Sequence, residues 1–335
     1  MRLATKHNHV SSLETCPDQL LFDSAFLAKL EQLYLLSRKL FRGSRRAGRK
    51  SRQIGSSLEF ADYRNYAPGD DLRTIDWNIF GRLDRLFVKL FEEEQDLPVY
   101  FLIDASASMR WQPEAGSKVE GRRSKVENEK TQSAMAKPST KLTQARRIAA
   151  SLAYIALANL DRASVFYFGQ TLGANAGMAR GKNQFHKLLE FLKKVPDSSG
   201  ETSLLSVLRA FVQQAKRRGL VFVFSDFFDP AGCEEALRLL RFSQFDVQLI
   251  HVLDPAERDP ELRGDLRLLD AETNAPLEIT ADETLLARYR REMNAFLQEM
   301  RDFCASHEIG YVQASTETPF EDLVLRVLRA GAIIR

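Results

Sequence analysis

The hydrophobic positions of this chain fall into two patterns that alternate along its length. Continuous apolar runs predict strands that are buried on both faces, as in a parallel sheet, at 99–103, 164–168, 220–225 and 247–252. Apolar residues spaced three and four positions apart predict helices at 23–42, 141–160, 184–194, 203–218, 233–241 and 283–307. Because strands and helices alternate, we expect an α/β fold with a doubly wound, mostly parallel sheet covered on both faces.

Shorter signals predict further elements towards the two ends of the chain. Segment 58–66 predicts a strand, and 85–91 predicts another that pairs with the apolar run at 99–103. Segment 265–279 predicts a two-stranded excursion, and 311–314 predicts the last strand.

The final helix carries its own start signal. Thr318 is the predicted N-cap, Pro319 stands in the first helical position and Glu321 closes a capping box.

Two stretches of unusual composition divide the chain. Residues 1–96 form a predicted N-terminal extension of helical, basic and β segments, and residues 97–335 form the predicted sheet domain. Within the second unit, residues 112–140 are polar and rich in Glu, Lys, Ser and Gly. Such a segment buries too little apolar surface to fold by itself, so we expect a disordered insertion there.

The composition favours a cytoplasmic protein. Hydrophobic residues make up 44% and charged residues 28% of the 335, which is ordinary for a globular protein. The three cysteines, Cys16, Cys233 and Cys304, form no pairing framework, which favours a reducing compartment. The longest near-apolar stretch, 148–160, is too short to span a bilayer, and no secretory signal pattern is visible. We therefore expect a cytoplasmic protein with no transmembrane segment.

Basic residues are concentrated in one segment, 38–52, although the net charge is only +3. Such a segment could bind nucleic acid or an anionic membrane surface, and this is the alternative function. Phe41 is the one aromatic residue interleaved with it, and no nucleic-acid-binding module surrounds it. We therefore favour a solvated connector or a docking strip for an acidic protein, and we expect no specific nucleic acid partner.

Oxygen-bearing side chains follow the first buried strand, at Asp104, Ser106 and Ser108. Two later positions complete the pattern: Thr202 lies in a Gly-Glu-Thr-Ser turn, and Asp226 ends the apolar run at 220–225. Carboxylates and hydroxyls at strand ends suit Mg²⁺ or Mn²⁺ rather than zinc. We expect Asp226 to act through water, because a second direct carboxylate would weaken the ion's attraction for an incoming acid. The alternative is that Asp-Ser-Ser is an ordinary strand-to-helix cap.

This pattern resembles the metal ion-dependent adhesion site of von Willebrand factor A domains. Other motifs are similar to a bacterial family, domain of unknown function 58, whose von Willebrand factor A-like members are found beside MoxR-type AAA+ ATPases. The similar motifs are GSSLEFADYRNYAPGDDLRTIDWNIFGRLDRLFVKLFEEE (55–94), LIDASASM (102–109), SLAYIALANLD (151–161), SDFFDP (225–230), HVLDPAE (251–257) and GDLRLLDAET (264–273). The block PGDDLR-x-IDW is the most diagnostic of them.

The resemblance implies a function for the predicted metal site. It implies a von Willebrand factor A-type sheet that works with a MoxR-type AAA+ ATPase on an unknown client complex, in its assembly, activation or metal insertion. Combined with the open coordination position of the ion, this predicts a magnesium-dependent interaction module that binds a partner's carboxylate.

The sequence lacks the residues and motifs that several classes of enzyme require. An aspartyl-phosphate phosphatase needs a second acid two residues after its nucleophile, and Ser106 stands there. No Gly-rich nucleotide loop and no Gly-x-Ser-x-Gly elbow is present. We therefore predict a protein that is not an enzyme.

Two further groups of residues have structural and functional interpretations. The cluster Asp70, Asp71, Arg73, Asp76 and Trp77 could contact the ATPase, but a buried hydrogen-bonded network that docks the N-terminal segment is the favoured reading. The five histidines are dispersed, and His251 lies in an apolar strand, where we expect a hydrogen-bonded core residue.

Overall fold

The computed structural model describes residues 21–44, 59–92, 98–111, 139–196, 203–229, 231–270, 272 and 275–330. The helices are α1 Ser24–Ser44, α2 Trp77–Leu83, α3 Ala107–Arg110, α4 Lys141–Ala158, α5 Phe185–Lys193, α6 Leu204–Gln214, α7 Glu234–Phe242, α8 Pro255–Arg258, α9 Glu283–Ser306 and α10 Phe320–Arg329. The strands are β1 Glu59–Asn65, β2 Phe87–Glu92, β3 Pro98–Asp104, β4 Arg162–Phe168, β5 Leu172–Asn175, β6 Ala179–Arg180, β7 Leu220–Ser225, β8 Asp246–Leu253, β9 Gly264–Leu269, β10 Pro276–Ala281 and β11 Gly310–Ser315.

The central sheet is mostly parallel, as the sequence predicts. Its order is β11-β8-β7-β3-β4-β5, and β6 also pairs with β4. The five strands from β11 to β4 run parallel, whereas β5 and β6 are antiparallel to β4. The mixed α/β class and the mostly parallel sheet are therefore confirmed.

Helices cover both faces of this sheet because its central strands are apolar on both sides. Along β3, Phe101 and Ile103 pack into one core cluster, and Tyr100 and Leu102 pack into the other. Helices α1, α4, α5 and α10 contribute to the first cluster, and α6, α7 and α9 contribute to the second. This explains the continuous apolar run at 99–103, since each of its side chains is buried.

Helix α4 is the central helix of the first face, and almost all of its residues are buried. Its first residue is Lys141, and the Thr140 hydroxyl caps the helix by accepting a 2.9 Å hydrogen bond from the Thr143 backbone N–H. Of the predicted insertion at 112–140, residues 139 and 140 are described, and Thr140 is the N-cap of the helix. Residues 112–138 lie outside the described residues, and their predicted disorder stays a prediction.

The predicted pairing of 85–91 with 99–103 is wrong. Strand β2 pairs with β1 in a separate antiparallel sheet, where Tyr63 lies opposite Lys89. Strand β3 instead lies in the middle of the main sheet, where it bonds to β4 and β7 on its two sides. A strand buried on both faces is stabilised by helices above and below it, and the polar residues of β1 and β2 suit a small two-stranded sheet.

The start of the last helix also differs from the prediction. Pro319 is the N-cap of α10, and no side chain caps its first turn. Thr318 belongs to the turn after β11: its N–H donates to the Ser315 carbonyl, and its own carbonyl accepts a 2.6 Å hydrogen bond from the Gln144 side chain. The predicted two-stranded excursion is confirmed, because β9 and β10 pair as an antiparallel ribbon.

Helix α1 belongs to the same core as the sheet. Phe26, Leu30 and Leu33 are buried in the first cluster, and the rings of Phe26 and Phe320 lie 4.9 Å apart between centroids. The predicted boundary between residues 96 and 97 falls outside the described residues and stays a prediction. Within the described ranges, no helix combines the length and the apolar character that crossing a bilayer requires.

Candidate metal centre

Asp104 and Asp226 lie at the carboxyl ends of the neighbouring strands β3 and β7. From β3 the chain continues to β4 on one side, and from β7 it continues to β8 on the other side. The crevice between two such strand ends is where parallel α/β sheets bind ligands. The two predicted site residues are therefore brought to the position that the sheet topology favours for a site.

Asp104 is buried, with 3% of its surface exposed, and both of its carboxylate oxygens accept hydrogen bonds. Oδ1 accepts from the Ser106 backbone N–H at 2.9 Å, and Oδ2 accepts from the Ser225 hydroxyl at 2.6 Å. Sequence reasoning missed Ser225, although it directly precedes Asp226 in the apolar run. Its hydroxyl fixes the orientation of Asp104 from the neighbouring strand.

Ser106 and Ser108 complete the first part of the site. Their hydroxyl oxygens lie 3.0 Å apart. Ser106 occupies the N-cap position of α3, but its hydroxyl makes no capping hydrogen bond and contacts Ser108 instead. This arrangement departs from the ordinary strand-to-helix cap, in which the serine oxygen would accept from the first helical turn. Thr202, the fourth predicted ligand, lies outside the described residues.

Burial raises the pKa of Asp104 to about 7, and the negative charge of Asp226 adds to the effect. The hydrogen bonds from Ser225 and Ser106 lower this pKa, but they offset the burial only in part. A carboxylate removed from water is stabilised as an anion by a nearby cation.

Asp226 has a cationic partner of its own, Lys141. The Lys141 ammonium lies 2.7 Å from Asp226 Oδ2 and 2.5 Å from Glu257 Oε1. The Lys141 side chain is completely buried, with 0% of its surface exposed. Burial lowers the pKa of Lys141, but the attraction of the two carboxylates is larger, so the net pKa is raised. For Glu257, burial outweighs the Lys141 charge, and the pKa is raised as well.

Glu257 reaches the site from the third neighbouring strand, β8. The chain leaves β8 at Asp254, which caps α8, and Glu257 Oε2 accepts a 3.0 Å hydrogen bond from the Asp254 N–H. Asp254 in turn accepts a 2.8 Å hydrogen bond from the Thr316 hydroxyl. Sequence reasoning missed Lys141 and Glu257. The Asp-Pro-Ala-Glu capping box within HVLDPAE was the available signal for Glu257.

His251 lies behind these acids and differs from its prediction as a fully hydrogen-bonded core residue. It is completely buried, and its Nδ1 lies 2.8 Å from the Tyr311 hydroxyl. Its Nε2 makes no hydrogen bond of good geometry within the part of the chain that the structure describes, although the backbone of Asp226 lies close enough to favour the charged ring. Burial lowers the pKa of His251 to about 4, so the ring is neutral at physiological pH.

The oxygen set of this centre suits a hard divalent cation. Asp104, Ser106 and Ser108 offer one carboxylate and two hydroxyls, and Mg²⁺ accepts such donors together with water. In the described ranges, no three His, Cys, Asp or Glu side chains converge as a metal-ligand group. An ion here would therefore depend on hydroxyls, water and an outside ligand to complete its coordination.

The acidic cluster at 70–77 lies elsewhere and has local roles. Asp70 pairs with Arg64 at 2.7 Å, and Asp71 caps the turn at 72–74. Asp76 caps α2 and contacts Lys89 at 3.0 Å. The predicted pairing of an acid with a neighbouring arginine is confirmed by Asp70 and Arg64, but the predicted burial is wrong, because Asp76 alone of these acids is buried and Trp77 is 61% exposed. Of the basic segment 38–52, residues 38–44 belong to α1 and the rest lies outside the described residues.

Comparison with known proteins places the chain in a family. A family model described as "Protein of unknown function DUF58" matches residues 62–126 and 125–299. The chain belongs to the DUF58 family. This confirms the family predicted from the motifs.

The relatives of this DUF58 protein are uncharacterized. Uncharacterized protein Rv1480 of Mycobacterium tuberculosis and uncharacterized protein Mb1516 of Mycobacterium bovis are each 26% identical over 246 residues, covering 71% of this chain and 68% of the relative. Uncharacterized protein MAV169 of Mycobacterium avium is 37% identical over 84 residues, covering 24% of this chain and 48% of the relative.

Two solved structures show distant similarity to this chain. BatB from Bacteroides thetaiotaomicron is 12% identical with a TM-score of 0.40, covering 70% of this chain and 96% of that one. An aerotolerance-related membrane protein from Bacteroides fragilis is also 12% identical, with a TM-score of 0.39 and coverage of 70% and 98%. Similarity at this level carries no functional argument.

Proposed function

We propose that this DUF58 protein is a metal-dependent interaction module of von Willebrand factor A type that binds a carboxylate of a partner protein. In this proposal Asp104, Ser106 and Ser108 hold Mg²⁺ or Mn²⁺, Thr202 adds a further hydroxyl, and Asp226 acts through water. The observation that best supports the proposal is that a buried carboxylate and two hydroxyls lie together at the end of β3, between the strands from which the chain continues to opposite sides of the sheet.

The charges around the site support an ion that keeps an open position. Lys141 contacts Asp226 and Glu257, and within the described ranges no cation pairs with Asp104. A divalent ion at Asp104 would therefore have one direct carboxylate and mostly neutral ligands. Such an ion retains positive charge, and a carboxylate from another protein is a suitable ligand for it.

The proposed role is binding rather than catalysis. Ser106 stands where a phosphatase of this topology would have its general acid. Asp226 is engaged by Lys141, and the Nδ1 of buried His251 is engaged by Tyr311. None of these groups is placed to exchange protons with a ligand at Asp104.

The identity of the partner is the part of the proposal that rests on the family resemblance. We propose a MoxR-type AAA+ ATPase in the cytoplasm as the partner, acting together on an unknown client complex. Arg and Trp dominate many protein interfaces, so exposed Trp77 is a second candidate contact for this ATPase.

Thermal unfolding with and without Mg²⁺ tests the metal site. Binding to the native state stabilises it by about 2.7 kcal/mol at a hundredfold excess over Kd. We expect Mg²⁺ to raise the melting temperature of the wild type. The increase should be lost in Asp104→Asn, which keeps the size of the side chain. Asp246→Asn is the matched control, because Asp246 is exposed at the opposite end of the sheet. Equal increases in all three proteins would refute the site.

The same protein variants distinguish metal-dependent binding from the alternative function, which is binding of nucleic acid or an anionic surface. Retention on DNA or anionic lipid that depends on salt, ignores Mg²⁺ and survives Asp104→Asn would support binding through residues 38–52 instead.

A further inference from the structure

Lys141 is an unusual residue for its position. It is the first residue of α4, where the helix dipole disfavours a cation. It is also completely buried, although a buried ammonium carries a large desolvation cost. Neither the local helix nor its burial therefore explains a lysine there.

The surroundings of the ammonium provide an explanation. Asp226 from the end of β7 and Glu257 from the turn after β8 contact it at 2.7 and 2.5 Å. The ring of Phe228 covers it, with its centroid 5.8 Å from the ammonium nitrogen. Two carboxylates from neighbouring strand ends, one of them Asp226 of the proposed metal site, are thus joined by one cation.

We propose that Lys141 is a resident counter-ion of the metal centre, which holds Asp226 and Glu257 away from the ion. The inference rests on the proposed metal site and adds a positioning residue to it. With Lys141 present, the ion binds to Asp104 and neutral oxygens, and the metal-free state has its other two carboxylates paired.

The charge balance explains the consequence for binding. When all three acids are ionised, as an ion at Asp104 favours, Asp104, Asp226, Glu257 and Lys141 together carry two net negative charges, which one divalent ion neutralises. Without Lys141 the acids around the same ion would carry three negative charges with no resident cation among them. The ion would bind more tightly, and it would attract an additional carboxylate from a partner less strongly.

Lys141→Met tests the inference, because it keeps the length of the side chain and removes the charge. We expect a lower melting temperature in EDTA, since buried Asp226 and partly buried Glu257 lose their cationic partner. We also expect Mn²⁺ to bind at least about tenfold more tightly by calorimetry, and the melting temperature to rise more with Mn²⁺ than in the wild type. A residue with only a packing role would lower stability without tightening metal binding.

Glu257→Gln is a control that should change the Mn²⁺ affinity in the opposite direction. Gln can still accept the Asp254 N–H bond of the capping box, but it removes one negative charge. We expect Mn²⁺ to bind more weakly, opposite to Lys141→Met. Lys187→Met, which removes an exposed lysine on α5, should leave the affinity unchanged.

The outcomes separate this inference from the proposed function. If the wild type and all variants fail to bind Mn²⁺, the metal site itself is refuted and the inference with it. If the wild type binds but Lys141→Met binds equally or more weakly, the counter-ion role alone is refuted. Should Lys141→Met fail to fold, Glu257→Gln decides: unchanged or tighter Mn²⁺ binding in that variant overturns the inference.

Discussion

The hydroxyl of Ser225 donates a 2.6 Å hydrogen bond to the Asp104 carboxylate across the pair of strands β7 and β3. Both groups are buried, and the Ser225 oxygen also accepts a 3.0 Å hydrogen bond from the Phe227 N–H. Ser225 therefore joins the turn that carries Asp226 to the carboxylate that we propose as the main metal ligand. This contact links the two strand ends of the proposed site.

We predict that Ser225→Ala lowers both stability and metal affinity. Removing the donor leaves a buried Asp104 oxygen without its partner, which costs about 1–3 kcal/mol of the free energy of unfolding. The carboxylate also loses its orientation, so Mn²⁺ binding should weaken. Chemical denaturation and calorimetry measure the two effects. Ser206→Ala is the control, because the Ser206 hydroxyl is exposed and bonds only within its own helix. Equal behaviour of the two variants would contradict the assigned role of Ser225.

A second prediction concerns partner binding. Asp104→Asn should abolish Mg²⁺-dependent association with the neighbouring MoxR-type ATPase, because the ion loses its one direct carboxylate. Thr202→Ala should weaken the same association less, since it removes a neutral ligand. Titration of labelled ATPase with each variant measures this order. Unchanged affinity in Asp104→Asn would refute the mechanism, and steady Mg²⁺-dependent phosphatase turnover would refute the non-enzymatic role.

Much of the sheet is predictable because the strand signal is local. The apolar run at 220–225 corresponds to strand β7, Leu220–Ser225, and the acid that follows it is Asp226. Strand pairing is not local: 85–91 has strand character, but nothing in its composition distinguishes β1 from β3 as its partner. That choice depends on which strand the helices bury on both faces.

The charged part of the site is less predictable for a similar reason. A lysine that follows a polar segment and begins a helix resembles a solvated residue, and Lys141 has this sequence context. Its burial results from the convergence of β7 and β8, which brings Asp226 and Glu257 to the same point. The burial of Lys141 therefore depends on the order of the strands in the sheet, which its local sequence does not specify.

A third prediction tests the small β1–β2 sheet. Asp76 caps α2, accepts a hydrogen bond from the Tyr63 hydroxyl at 3.0 Å and pairs with Lys89. Asp76→Ala should therefore increase hydrogen exchange of the β1 and β2 amides, because it removes contacts to both strands and to the helix. Asp71→Ala is the control, since exposed Asp71 caps only a short turn. Equal exchange in the two variants would show that Asp76 does not hold this unit together.

The last prediction is a pH dependence that originates at His251. Its pKa is about 4 in the folded protein, because the ring is buried, against 6.5 for an exposed histidine. Between these two values the unfolded protein takes up a proton at His251 more readily than the folded protein does. The stability of the folded protein is therefore unaffected by His251 above pH 6.5 and decreases as the pH falls towards 4. The free energy of unfolding should decrease by up to about 3 kcal/mol across this window.

His251→Gln isolates this contribution, because Gln can still bond to the Tyr311 hydroxyl but does not titrate. Denaturation of both proteins should be followed from pH 7 to pH 4 in EDTA, so that no bound ion changes the charge near Asp226. Asp104 acts in the opposite direction in the same window, since its raised pKa gives stability that is lost as the pH rises towards 7. That effect is common to both proteins and cancels in their difference.

The wild type should therefore lose stability faster than the His251→Gln variant on acidification, and His186→Gln, an exposed control, should follow the wild type. Parallel curves for wild type and His251→Gln would mean that His251 is not held in its neutral form by burial.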